Sequence, residues 1–204
     1  MQFRTAVVLV FGLALTAAAA TLHGAAASRQ QADSLARKIM LITQRAAAQT
    51  AAPVPGAKRT EVSEDEVNSW FVFRGRPYLP EGVTNPNVTM LGDGTMRGAV
   101  MVDLEALGKR KSSGGLLDIW SYLGGKVPVA VTGTLRAHDG RGQFEMKSAE
   151  VAGVPVPKAL VQELVSVYAS SPDDKKPISL DSAFDLPAKI RSIDVGRGQL
   201  VVVQ

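Results

Sequence analysis

The sequence predicts an α+β fold, an antiparallel sheet accompanied by one or two helices and preceded by an N-terminal helix. Three observations predict it. Asp93-Gly94, Asp139-Gly140 and Gly196-Arg197-Gly198 each separate two β-prone runs, which is the pattern of a tight hairpin. Apolar residues alternate with polar ones along several of these runs, as on a half-buried sheet, while three- and four-residue spacing is confined to a few segments. No strand is followed, before Pro157, by the dozen or more helical residues that a parallel crossover needs.

Residues 1–27 carry one basic side chain, Arg4, an apolar run from Ala6 to Ala20, and the small residues Ala25-Ala26-Ala27. They read as an export signal, cleaved after Ala20 or Ala27 or retained as a membrane anchor, so the body is expected outside the cytoplasm, periplasmic or secreted. In 28–50, Ala32, Leu35, Ile39, Ile42 and Ala46 recur at helical spacing between Arg, Lys and Gln, an amphipathic helix. Its stripe is too short for a sustained coiled coil and suits packing on its own domain, with a protein partner as the alternative. Residues 51–56, with two prolines and a glycine, read as a linker, and 57–204 as the main α+β domain.

The domain opens with a strand and then VSEDEVNSWF, residues 62–71. Ser63 and Glu66 have the spacing of a capping box, and Val62 and Val67 that of a hydrophobic staple. Glu64 and Asp65 occupy the first turn, where the helix dipole favours negative charge. Val67, Trp70 and Phe71 share the buried side, with Asn68 and Ser69 facing elsewhere. The first hairpin joins 87–91 to 95–107, with Met96, Val100, Val102 and Leu104 on one parity. The second joins 127–135 to 143–151, where Phe144, Met146, Ser148 and Glu150 follow one parity imperfectly. A helix over 156–168 starts with Pro157 in its first turn and carries the stripe Leu160, Val161, Leu164, Val165 and Tyr168. A third hairpin joins 188–195 to 199–203.

With 204 residues, 46% of them hydrophobic and 21% charged, the chain has material for one core and is not globally disordered. The net charge of +4 is dispersed, without the basic stripe that nucleic acid requires. There is no cysteine, hence no disulfide, thiolate metal site or cysteine nucleophile, and the two histidines are His23 and His138. A histidine metal site and a nucleophile–histidine–acid triad are therefore not expected, nor is any cofactor. Gly196-Arg197-Gly198 lacks the strand–loop–helix setting of a phosphate loop, and no G-x-S-x-G elbow occurs. The acids of 62–71 form the densest cluster of potential catalytic groups, and helix initiation accounts for each of them. The chain is expected not to be an enzyme.

Residues 109–125 interrupt the strand pattern with Lys109, Arg110 and Lys111, then a glycine joint, then an apolar run that includes Trp120 and Tyr122. Cations followed by Trp and Tyr suit a membrane–water boundary. A crossover helix covering the sheet is the alternative.

The order of these features carries a resemblance: the stretch 61–70, the hairpin over 83–104, the hairpin over 127–151 running through Gly153-Val154-Pro155-Val156-Pro157 into a helix, and Leu186-Pro187-Ala188-Lys189-Ile190 before the closing hairpin. Over residues 58–204 the chain resembles small bacterial envelope proteins of the LmeA-like and YpmS-like families, which are related to tubular lipid-binding (TULIP) domains. The resemblance rests on order and patterning, and 109–125 has no counterpart in it. It implies a long, curved antiparallel sheet packed around a helix, with an apolar groove for acyl chains. By position, Met90, Met96, Val100, Val102, Leu160, Leu164 and Tyr168 would line that groove, and each also suits plain core packing. The expected function is non-enzymatic, extracytoplasmic binding of lipid or another apolar ligand in a sheet–helix groove, associated with a membrane surface. The alternative is a structural or assembly module of the cell envelope, whose protein partner uses the 28–49 helix.

Overall fold

The computed structural model describes residues 27–51, 56–103, 125–162 and 182–204. In chain order its elements are α1 (Arg29–Ala51), β1 (Arg59–Ser63), α2 (Glu64–Phe73), a single 3-10 turn (Arg76–Tyr78), β2 (Val83–Gly92), β3 (Thr95–Asp103), β4 (Lys126–His138), β5 (Arg141–Val151), β6 (Val154–Pro155), β7 (Phe184–Asp185), β8 (Ser192–Val195) and β9 (Gln199–Val203). Residues 158–162 are also helical. The fold is α+β, and every strand pair is antiparallel.

The predicted hairpins form at the predicted turns. Asp93 and Gly94 have φ of 52° and 73°, and Asp139 and Gly140 have 53° and 76°. Positive φ at both central positions is the conformation whose twist matches the flanking strands, and Asp-Gly adopts it at low cost. The third hairpin needs a correction at its start, because Ala188 and Lys189 form a turn and the strand begins at Ser192. Ala188 and Lys189 both lie at positive φ, 53° and 55°, and Ile190 N–H donates to Pro187 O at 3.1 Å.

Two features depart from a single sheet with uniform alternation. The closing hairpin does not extend the long sheet; β9 pairs with β1 from Arg59↔Val203 to Ser63↔Gln199, giving a separate sheet ordered β1-β9-β8. The long sheet is ordered β2-β3-β4-β5-β6, with β7 also on β5. The second departure explains the imperfect parity of 143–151. Thr132 faces Ser148 but Gly133 faces Met146, so Lys147 is the extra residue of a bulge. Phe144 is buried and Met146 half-buried before the bulge, and Ala149 and Val151 are buried after it. Ser148 is exposed and Glu150 half-buried, so neither continues the core parity.

The register gathers one apolar face. Val83, Val88 and Met90 of β2 lie across from Val102, Gly98 and Met96 of β3, which in turn face Val127, Val131 and Gly133 of β4. Phe144 and Met146 of β5 complete it. One end of this face packs with Val161, from the helical residues 158–162. The other end is covered by Phe71 of α2 and Val195 of β8. A third cluster joins Ile42 of α1 to Ala137, Leu186, Ile190 and Val202. Thus the α1 stripe is used within the domain, with Ala32, Leu35 and Ile42 buried.

Candidate functional site

Two places bear on function: the acidic stretch at the start of α2, and the apolar face of the long sheet. At the first, the capping box forms as its spacing predicts. Ser63 Oγ accepts from Glu66 N–H at 3.1 Å, and Glu66 Oε2 accepts from Ser63 N–H at 2.9 Å. Tertiary contacts then add what the local pattern does not encode. Ser34 Oγ–H donates to Glu66 Oε1 at 2.6 Å, and Lys38 Nζ donates to Oε2 at 2.7 Å. Burial pushes the Glu66 pKa up, but hydrogen bonds from Lys38, Ser34 and the Ser63 amide, with the Lys38 charge, outweigh it and leave the carboxyl below its ordinary value. A carboxylate held ionised by three donors is poorly suited to accept a proton in general base catalysis.

Glu64 and Asn68, one helical turn apart, stitch α2 to the outer edge of β2. Glu64 Oε2 accepts from Met90 N–H at 2.6 Å. Asn68 pairs with both backbone groups of Val88, accepting from its N–H at 2.7 Å and donating to its C=O at 2.8 Å. An edge strand otherwise exposes such groups as a template for another chain, and here side chains of α2 occupy them. Gly198 N–H closes the same edge by donating to Met90 O at 2.9 Å. Asn68 and Ser69 thus face elsewhere than Val67, Trp70 and Phe71, and what they face is protein: β2 and the start of α1. Ser69 is 1% exposed, and its Oγ accepts from Ser28 N–H at 3.1 Å, between the two helices. Glu64 and Glu66, with Asn68, form a joint between α1, α2 and β2. Ser34 and Lys38 belong to that joint and were not singled out in the sequence, although their four-residue spacing beside the α1 stripe places them on one face.

The apolar face holds four of the seven groove candidates. Met96, Val100 and Val102 lie on it together, Val100 and Val102 buried and Met96 half-buried. Met90 is on the same face, paired with Met96, but packs at the far end against Phe71, Val88 and Val195. Leu160 is buried at the start of the helical segment. Leu164 and Tyr168 lie outside the described residues, as do Leu104 and the membrane-contact candidates Lys109, Arg110, Lys111, Trp120 and Tyr122. Met96 and Leu135 pack against both of these clusters while remaining half-buried, and Met146, also half-buried, packs against the first. Gly133, in register with Met96, leaves room for the Phe144 ring, since a Cβ there would fall 2.0 Å from Phe144 Cζ. Leu135 and Met146 were missed as candidates; the bulge at Lys147 hid the parity that would have pointed to Met146.

Among the described residues, no group of three or more His, Asp or Glu is placed to hold a metal ion, and no helix is long and apolar enough to cross a membrane. No protein-family model, no curated protein and no solved structure matches the chain.

Proposed function

We propose that this protein is a non-enzymatic, extracytoplasmic lipid-binding or lipid-handling protein that holds an apolar ligand between the long sheet and the helix beginning near residue 158. The observation that carries the reading is the continuous apolar face of β2–β5. Parts of it are covered by α2, by β8 and by residues 158–162, while Met96, Leu135 and Met146 on the same face are only half-buried. Methionine suits a surface that adapts to a flexible chain, because it is unbranched and polarisable. The order of elements, which resembles that of the LmeA-like and YpmS-like families, points the same way, and the apolar run at 6–20 supports placement outside the cytoplasm.

The test is native mass spectrometry of protein purified from membranes, combined with uptake of a fluorescent fatty acid. Copurified lipid is expected, together with uptake that Met146→Trp reduces by filling space beside this half-buried position. No copurified lipid and no uptake would refute the proposal.

A second reading, a structural or assembly module of the envelope, is favoured by the close packing of Met90, Val100 and Val102, which are 2%, 8% and 5% exposed as in a filled core. Since Leu35 and Ile42 are buried within the domain, a protein partner on α1 would meet its outward residues Met40 and Leu41, which are exposed. Crosslinking from Met40 that trapped one protein, with no lipid bound, would select this reading.

A further inference from the structure

The end of α2 carries exposed apolar and aromatic side chains that neither the capping joint nor the lipid-facing sheet explains. Val72 is 61% exposed, Phe73 37% and Tyr78 39%. Tyr78 rests on Trp70 with ring centroids 5.3 Å apart, and the Arg29 guanidinium lies 5.0 Å over the Phe73 ring. Arg74, ion-paired with Asp33, and Arg76 follow within the same short stretch. Aromatic rings with polar tips, an exposed aliphatic side chain and arginines make up the side-chain set of a membrane–water boundary, where each cation is attracted to anionic headgroups.

The chain's own path supplies the second observation. Ser28 N–H donates to Ser69 Oγ at 3.1 Å, so the polypeptide enters the domain beside this end of α2. Only residues 21–27 separate that entry point from the apolar run ending at Ala20, and seven extended residues span at most roughly 25 Å. A membrane-embedded run would thus hold the Val72, Phe73 and Tyr78 end close to the lipid surface.

We infer that the C-terminal end of α2, with the 3-10 turn after it, is a membrane-contacting foot that seats Val72, Phe73 and Tyr78 at the headgroup level of an anionic bilayer. The inference uses none of residues 109–125, and it does not depend on the sheet holding a ligand.

The absence of cysteine makes a direct test available. Val72→Cys in the full chain is labelled with an environment-sensitive fluorophore and reconstituted into phosphatidylcholine–phosphatidylglycerol vesicles containing a lipid quencher near the headgroups. Val154→Cys is the control, an exposed site on β6 at the opposite edge of the long sheet from α2. With the label at position 72, a blue-shifted emission and strong quenching are expected, weaker in vesicles without phosphatidylglycerol; with the label at position 154, neither is expected. A label at 72 as wet and unquenched as the one at 154 overturns the inference. So does a label at 72 whose emission is blue-shifted in the vesicles but not quenched by the lipid quencher, which would mean that protein covers the site. Either result leaves fatty-acid uptake unaffected, so this failure is distinguishable from failure of the proposed function.

Discussion

Replacing Glu66 with glutamine preserves the side chain's shape and removes its charge from a nearly closed site, the side chain being 8% exposed. The carboxylate accepts from Ser34 Oγ at 2.6 Å, Lys38 Nζ at 2.7 Å and Ser63 N–H at 2.9 Å. Glutamine can keep its oxygen toward Lys38 and Ser63 and turn its amide nitrogen toward Ser34, whose hydroxyl can accept instead. What is lost is the charge assistance. A hydrogen bond to a charged group contributes about 1.5–3 kcal/mol and a neutral one about 0.5–1.5, so three contacts losing about 1 kcal/mol each sum to about 3 kcal/mol. Lys38 is 30% exposed and regains water, which lowers the expected cost to about 2 kcal/mol. In a chain of this size that is a fall in Tm of about 4–8 °C.

The pH dependence provides an independent check. Because the folded-state pKa lies below its ordinary 4.5, the ionised form is the one favoured by folding. Its contribution is complete above 4.5 and is lost as the pH falls from there through the folded-state value. The stability gap between the natural protein and Glu66→Gln, measured by urea unfolding, should be constant near neutrality and close on acidification. Equal stabilities within about 0.5 kcal/mol, with superimposable acid limbs, would refute the reasoning.

Three further perturbations test other contacts. Asn68→Ala leaves the N–H and C=O of Val88, a residue 6% exposed, without their side-chain partner; a loss of about 1–3 kcal/mol is expected, with faster amide exchange at Val88. Gly133→Ala drives a methyl into the Phe144 ring and should cost about 1–3 kcal/mol in denaturant unfolding, part of it recovered when Phe144→Leu is combined with it. Gln204→Leu removes the amide that donates to Ile42 O at 2.9 Å and Ala188 O at 2.8 Å; since Ile42 O lies within α1 and Gln204 Oε1 is buried without a partner, thermal unfolding should register a loss of about 1–2 kcal/mol.

The readings that succeeded rest on neighbours in sequence. Asp93-Gly94 and Asp139-Gly140 specify turns because two adjacent residues must tolerate positive φ. Ser63 and Glu66 specify a helix start because a capping box is closed within four residues. The readings that needed correction or completion concern residues whose partners are distant. Helical spacing puts Ser69 off the Phe71 side of α2 but does not show that the start of α1 covers it. Residues 148 and 150 followed an alternation that an extra residue at Lys147 had already reversed. Of the groove candidates, Met96, Val100 and Val102 shared a visible parity, whereas the separation of Met90 into another cluster depends on where α2 and β8 pack.

By itself the sequence determined the α+β class, the hairpins, the capped start of α2 and the apolar stripe of α1, all set by backbone preferences and short-range periodicity. Only the tertiary structure decided that β9 leaves the long sheet for β1, that Glu64 and Asn68 close the edge of β2, and that Glu66 meets Ser34 and Lys38. The physical reason is that these pairings join residues far apart in the chain. Whether they form depends on which packing buries the most apolar surface while leaving the fewest backbone and side-chain polar groups unsatisfied, a comparison between whole folds that no local pattern contains.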